Sequence, residues 1–527
     1  MISFLVNRTV KSRILSGFFF LVICPQERLV YLLNFEDIMK KVIVIGAGFS
    51  GLSAATELAS KGYQVQILEK NDHAGGRARV FQSDGFTFDM GPSWYWMPDI
   101  FENYFGRYGK KPSDYYELIR LDPSYSVILS DTEKIDLPAN YQDLKKLFES
   151  YEAGAGASLD AFMEQAAYKY KVGIQEFVWK PSRKITEFLS LKLLVDAIRI
   201  DVFSSFYTHI RKFFTSPTLL KLMEFPILFL GAISQNTPAM YSLMNYAEIK
   251  LGTWYPMGGM HHIVKGMVAL AEEKGVKIQY NAEVEGFEIK NGKVVGVKTA
   301  QGLLEADAFV AGADYHHVEE LLGDGLRNYD EAYWDKRVMA PSSLLFYLGI
   351  SKRLPNLKHH NLFFDRDFTV HSHEIYTDPA WPSDPLFYAS APSVTDPSVA
   401  PAGSENLFLL IPVAPDLEDT QEVREIYFEQ LMDRLEAHCG VSIRDSIVYK
   451  RSYAHRDFKS DYHAYKGNAY GLANTLMQTA ILKPTLKNKH LNNLYYTGQL
   501  TVPGPGVPPS LISGIVVATE VDKELKG

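Results

Sequence analysis

Three glycines in the stretch VIVIGAGFSG, Gly46, Gly48 and Gly51, stand in the spacing G-x-G-x-x-G. In that order they allow a tight turn, a close approach of backbone to a ligand, and close packing of a helix on a strand. A carboxylate, Glu69, follows 18 residues after Gly51, where an acid can accept ribose hydroxyls. Gly75, Gly76 and Arg77 come next as GGR. Adjacent glycines let a backbone pass close to a ligand, and a guanidinium pairs with phosphate. The chemistry these residues imply is the holding of a dinucleotide, with a free 2′-hydroxyl on Glu69 that argues against NADP. Taken alone, Arg77 reads as half of a surface ion pair.

The elements around these residues fit that chemistry. Val42, Ile43, Val44 and Ile45 read as a buried parallel strand. LSAATELASKG reads as a helix with Leu52, Ala55, Leu58 and Ala59 on one face and Gly62 as its cap. Tyr63–Lys70 reads as a second strand. The helix N-terminus supplies free N–H groups and partial positive charge to phosphates. A second strand, glycine loop and helix recur at Leu494–Glu520: a strand ending at Gly498, a Pro/Gly loop, then SLISGIVVA. Two such loops, some 450 residues apart, suit one extended ligand gripped at both ends. FAD matches that better than NAD.

GAGFSGL, Glu69, GGRAR and the F-D-M-G-P of Phe88–Pro92 resemble the flavoprotein amine oxidase superfamily and, more closely, the bacterial phytoene desaturase family of carotenoid biosynthesis. The resemblance spans nearly all of residues 39–525. It implies that Gly75, Gly76 and Arg77 run beside the FAD diphosphate. It implies that the strand around Val284 lies against the adenine through its backbone, and that the Gly498 region closes over the flavin ring and ribityl chain. One residue departs from the pattern. Many members carry an acid after that last glycine, and this chain has Gln499. A carboxamide can still hydrogen-bond the ribityl hydroxyls, but without charge.

The fold class expected is α/β. A Rossmann-like FAD-binding domain is assembled from discontinuous segments, 39–94, 248–324 and 451–525. Within it Met260–Lys274 reads as a helix, Val276–Tyr280 as a strand, Asn291-Gly292 as a hairpin turn and Ala308–Ala311 as a strand. Residues 95–247 and 325–450 form an α+β substrate-binding lobe with a helical membrane-facing region. Apolar runs at 343–350, 385–391 and 406–413 read as a sheet forming one wall of that lobe. Residues 185–232 are apolar and punctuated by Lys192, Arg199, Arg211, Lys212 and Lys221. Such a stretch lies either in a membrane interface or as a buried helical pair. Residues 1–38 read as an N-terminal extension. Lys11 and Arg13 precede an apolar run of 11, Ile14–Cys24, too short to span a bilayer, with no A-x-A cleavage site after it. Met39 opens MKKVIVIGAG, so an over-long start assignment is the expected explanation.

Composition narrows the partners. Net charge is −8 and no long basic run occurs, which excludes nucleic acid. The two cysteines, Cys24 and Cys439, belong to no metal or redox spacing, which points to a reducing, cytoplasmic setting. His261-His262 and the HSH at 371–373 lack carboxylate support, so they read as surface or loop residues and no metal site is expected. Aromatic residues reach 13%, consistent with a large core or an extended apolar tunnel.

The resemblance implies hydride transfer from a linear polyene such as phytoene to flavin N5, loss of a proton from the neighbouring carbon, and a new C=C. The polyene's conjugation stabilises the charge formed, so no catalytic base is assigned. Asp89 and Glu102 fall near the flavin-side loop, where structural hydrogen bonding is the favoured role for both. The partners expected are a hydrophobic polyene, peripheral membrane contact, and quinone or oxygen as electron acceptor. Alternatives are a carotenoid cis–trans isomerase, a flavin amine or porphyrinogen oxidase, and a non-enzymatic GDP-dissociation-inhibitor-like protein.

Overall fold

The apolar run Lys41–Ile45 is the middle strand of a five-stranded parallel sheet in the computed structural model of the protein. The structure describes residues 19–23, 30–34, 39–183, 187, 201, 204–228 and 233–526. The strands of this sheet are β1 (Lys41–Ile45), β2 (Gln64–Leu68), β3 (Lys277–Gln279), β4 (Ala308–Ala311) and β5 (Leu494–Tyr496), in the order β3-β2-β1-β4-β5. Every neighbouring pair is parallel. A parallel sheet is covered on both faces. Val42, Val44, Ile67, Phe309 and Val310 are accordingly no more than 1% exposed, each stabilising the fold by about 1.5–3 kcal/mol through burial.

Helix α1 (Phe49–Ser60) follows β1, α2 (His261–Glu273) precedes β3, and α3 (Val507–Lys526) follows β5. Helices α1 and α3 pack backbone to backbone. A Cβ on Gly514 would meet the Ser50 carbonyl oxygen at 2.3 Å, and the Ser53 hydroxyl donates to the Leu511 carbonyl at 2.7 Å. Between β3 and β4 lies an antiparallel meander, Gly286–Lys290, Lys293–Thr299 and Gly302–Glu305. Its first turn is the expected Asn291-Gly292, with φ of 51° and 71°. Positive φ at both positions matches the right-handed twist of a hairpin.

A second sheet has seven strands in the order Ile447–Tyr453, Ser342–Ile350, Glu405–Val413, Phe387–Ser390, His360–Phe363, Tyr125–Ile128, Lys134–Leu137. The three apolar runs expected to form a wall are all in it. Two of its strands come from the earlier insertion, and Tyr125–Ile128 joins His360–Phe363 in parallel. Its edge strand runs to Tyr453, across the boundary expected at 450. Alternation gives each strand two faces. Leu344, Phe346 and Leu348 pack with Phe428, Leu431 and Leu435 of the helix Gln421–Cys439. Leu345 and Leu410 point the other way, into the cavity described below.

Much of the stretch 185–232, including Lys192 and Arg199, lies outside the described residues. Its described parts include helices Phe206–Ile210 and Pro217–Leu228. There Phe206, Ile210, Leu219, Leu222 and Met223 are buried, and Arg211 pairs with Glu224 at 2.8 Å. Among the described residues no helix is long and apolar enough to cross a membrane. In the N-terminal extension, Phe19–Ile23 and Val30–Asn34 pair antiparallel. Its other residues, Cys24 among them, lie outside those described.

Candidate functional site

Gly46 follows the last residue of β1, and its φ of +93° turns the chain into α1. At Gly51 a Cβ would lie 2.0 Å from the Gly46 carbonyl oxygen, so only glycine fits the turn. Gly48 differs: no atom lies within 4 Å of where its Cβ would stand, and it lines a cavity. It is also the N-cap of α1, and no side chain caps that helix. The first-turn amides of an uncapped helix attract anions.

One continuous cavity of about 480 Å³ lies at the carboxyl ends of β1, β2 and β4, where open parallel sheets bind ligands. Gly46, Gly48, Glu69, Gly75, Gly76, Arg77, Val284, Gly498 and Gln499 all line it. Gly51 stands behind them as a packing residue. Gly75 and Gly76 have φ of +126° and +54°, and a Cβ on Gly76 would come within 3.4 Å of Gly48 Cα. The two glycine loops therefore face each other.

Glu69 is 4% exposed. Its Oε2 accepts the Ala47 N–H at 2.7 Å, and its Oε1 accepts the Asn71 N–H at 2.9 Å. Oε1 also accepts the Asn71 carboxamide at 3.0 Å. The acid thus clamps the glycine loop to the end of β2, and Oε2 keeps a lone pair for a hydroxyl.

Arg77 is not half of a surface ion pair. Among the described residues its one direct hydrogen bond goes to the Asn468 carbonyl at 3.4 Å, the Tyr462 ring lies 5.2 Å from the guanidinium carbon, and Nε is buried without a partner. Burial pushes the guanidinium pKa down, and the field of Asp314 offsets part of that. A half-buried, under-paired cation on the cavity wall fits the phosphates of a dinucleotide.

At the far loop, Gly498 has φ of +107°, and its amide donates to the Ser513 hydroxyl at 3.1 Å. The Gln499 carboxamide donates to Asn468 Oδ1 at 3.3 Å. Prolines 505, 508 and 509 and the start of α3 complete that wall.

Several site residues escaped the sequence reading. Gly312 lies after β4, where a Cβ would come within 3.2 Å of the Ile45 carbonyl. Asp314 accepts the His316 and His317 amides as the cap of Tyr315–Glu320. A glycine then an acid after a buried strand was the available signal. His317 stacks on His463 at 3.8 Å, and burial pushes it down to about 4. The HSH segment sits on a helix, Phe368–Tyr376, and not in a loop. His371 is 3% exposed because both ring nitrogens are satisfied, by the Pro412 carbonyl and the Leu386 amide.

Beyond the glycine loops the same cavity is walled by Trp94, Phe225, Leu362, Phe364, Ile375 and Leu410. Asp89 is a structural acceptor, bound to the amides of Met260 and His261. Glu102 is exposed.

The family model described as "Flavin containing amine oxidoreductase" matches residues 49–522. The chain belongs to that family. A flavin held by a G-x-G-x-x-G turn and a free helix N-terminus is a dinucleotide, so the family's cofactor here is FAD. Among curated relatives, a "Carotenoid 3,4-desaturase" of Haloarcula japonica is 41% identical over 90% of this chain and 96% of its own. A "zeta-carotene-forming phytoene desaturase" of Myxococcus xanthus is 32% identical over 91% of this chain and 93% of its own. Among solved structures, the cyclohexylamine oxidase of Brevibacterium oxydans aligns with a TM-score of 0.55 at 15% identity, over 93% of this chain and all of that one. This last likeness is one of fold.

Proposed function

We propose that the protein is an FAD-dependent desaturase that removes hydrogens from a linear polyene in carotenoid biosynthesis. The observation that carries the reading is the continuity of the glycine-lined cradle with an apolar cavity. A cofactor and a hydrocarbon can meet there with water excluded. The names of the relatives support the same substrate class.

The chain's own residues do the holding. The loops at Gly48 and Gly76 and the guanidinium of Arg77 take the diphosphate. Glu69 takes the ribose, the Val284 segment the adenine, and the Gly498-Gln499 loop the ribityl and ring end. Bound there, a flavin would supply N5 as the acceptor for a hydride from a C–H bond of the polyene. The apolar walls hold that bond in place and keep water from the reacting carbon. A proton leaves the adjacent carbon and a C=C forms, so two electrons leave the substrate. A quinone or oxygen then removes them from the enzyme.

A lipid-soluble substrate and the basic residues of 185–232 support peripheral membrane contact from the cytoplasmic side. Cosedimentation with anionic vesicles tests that contact. The reaction is tested with purified, flavin-loaded protein given phytoene and, in parallel, an acyclic carotenoid saturated at its 3,4 bond. The expected result is a red-shifted product spectrum with one of the two. No product from either overturns the proposal, as does a colourless protein that binds no flavin.

A further inference from the structure

Among the described residues Lys483 is a buried cation with no hydrogen-bond partner. It is 4% exposed. No charged neighbour contributes to its titration, and burial alone pushes it down to about 7. Asn474 lies beside it, also 4% exposed, and its Oδ1 is likewise unpartnered. Both reach under Gly504, whose φ is +141°. A Cβ there would lie 3.0 Å from Asn474 Oδ1 and 3.4 Å from Lys483 Nζ. The loop continues directly into Pro505–Ser510, which line the cavity and open α3.

An unpaired interior ammonium opposes folding. It is therefore a poor structural device and a strong electrostatic one. In a low-dielectric interior its field reaches well past its own contacts, and Gly504 is the chain neighbour of the cavity-lining Pro505. We propose that Lys483 acts as a positioning charge for the cofactor. Through the Gly504 loop it favours the reduced flavin, which holds the two electrons of the hydride, and so raises the flavin's reduction potential. The inference rests on the flavin reading above and adds to it the group that tunes that flavin. The first half-reaction is then favoured on a hydrocarbon, which is a weak hydride donor. A quinone or oxygen of higher potential still accepts the electrons.

The test is the midpoint potential of the full-length, flavin-loaded protein at pH 6, read from flavin absorbance against a reference dye. Lys483→Met is expected to raise the oxidised-to-reduced ratio at fixed potential at least tenfold, about 30 mV lower for a two-electron couple. Lys483→Arg, which keeps the charge, is expected to stay within about twofold of wild type, a rescue that a purely structural role does not predict. Asn474→Asp sets a carboxylate beside the ammonium and is expected to lower the potential in the same direction. It replaces Lys483→Met if that variant fails to fold. A flavin-loaded Lys483→Met or Asn474→Asp protein with an unchanged potential overturns the inference. Wild-type protein that binds no flavin instead overturns the cofactor reading, and this inference with it.

Discussion

The carboxylate of Asp89 accepts the backbone N–H of Met260 at 2.7 Å and that of His261 at 2.9 Å, capping helix α2 from 171 residues away in sequence. The two amides favour the ionised form, but burial outweighs them and pushes the acid from 3.8 up to about 6. Between those values the folded chain binds a proton that the unfolded chain has released. Stability therefore falls as pH rises through that window. Asp89→Asn removes the titration while leaving one acceptor. Urea unfolding across pH 4 to 7 is expected to show wild type losing about 2 kcal/mol relative to the variant between pH 4 and 6, with no further divergence above. A pH-independent difference would falsify this account.

Gly48 and Gly51, three positions apart, should fail in different ways. A methyl at Gly51 collides with the Gly46 carbonyl, 2.0 Å away, and backbone cannot yield cheaply. Gly51→Ala is expected to cost about 1–3 kcal/mol of stability and to lose flavin as a consequence. A methyl at Gly48 meets no protein atom and enters the space assigned to the diphosphate. Gly48→Ala is expected to keep the melting temperature of the flavin-free protein and still lose flavin. Flavin-to-protein absorbance ratios and melting of the stripped proteins separate the two. Equal melting losses would sink the distinction.

The cradle was legible because its geometry is local: Gly46 to Glu69 is one strand-turn-helix-strand unit, and each residue's type answers a backbone need. The same held for the Asn291-Gly292 turn, where positive φ at both positions demands such residues. The seven-stranded sheet was only half legible. Its apolar runs announced themselves, but Tyr125–Ile128 and His360–Phe363 pair across more than 200 residues. The latter strand also begins with two polar residues. His360 and Asn361 are fully buried because His360 stacks on Trp94 at 4.0 Å and bonds the Tyr388 hydroxyl at 2.6 Å, while Asn361 donates to the Ala389 carbonyl at 3.1 Å. None of those partners is near in sequence. His371 was misplaced for the same reason: what satisfies its ring is tertiary.

Arg77 offers a test in which apo stability and ligand binding move in opposite directions. Its guanidinium is under-paired while half-buried, with Nε fully enclosed, so Arg77→Met relieves desolvation in the flavin-free chain. The stripped variant is expected to melt no lower than stripped wild type. Its affinity for FAD is expected to fall by about 1.5–3 kcal/mol, the contribution of hydrogen bonds to a charged partner. Calorimetric titration of both apoproteins measures the drop. Unchanged affinity would remove Arg77 from the phosphate site.

Ile375 lines the apolar part of the cavity. It lies on the helix Phe368–Tyr376, is 8% exposed, and faces the cavity between the two sheets. Ile375→Trp adds bulk where the polyene is proposed to run, away from the glycine loops that hold FAD. The flavin spectrum and flavin-to-protein ratio are therefore expected to match wild type. Misplacing the reacting carbon by about 1 Å costs on the order of 100-fold, so product formation is expected to fall by an order of magnitude or more. Ile375→Val, which leaves the space open, is expected to retain most activity. If the tryptophan variant turns over polyene at the wild-type rate with its flavin intact, the substrate does not occupy this wall, and the apolar cavity needs another explanation.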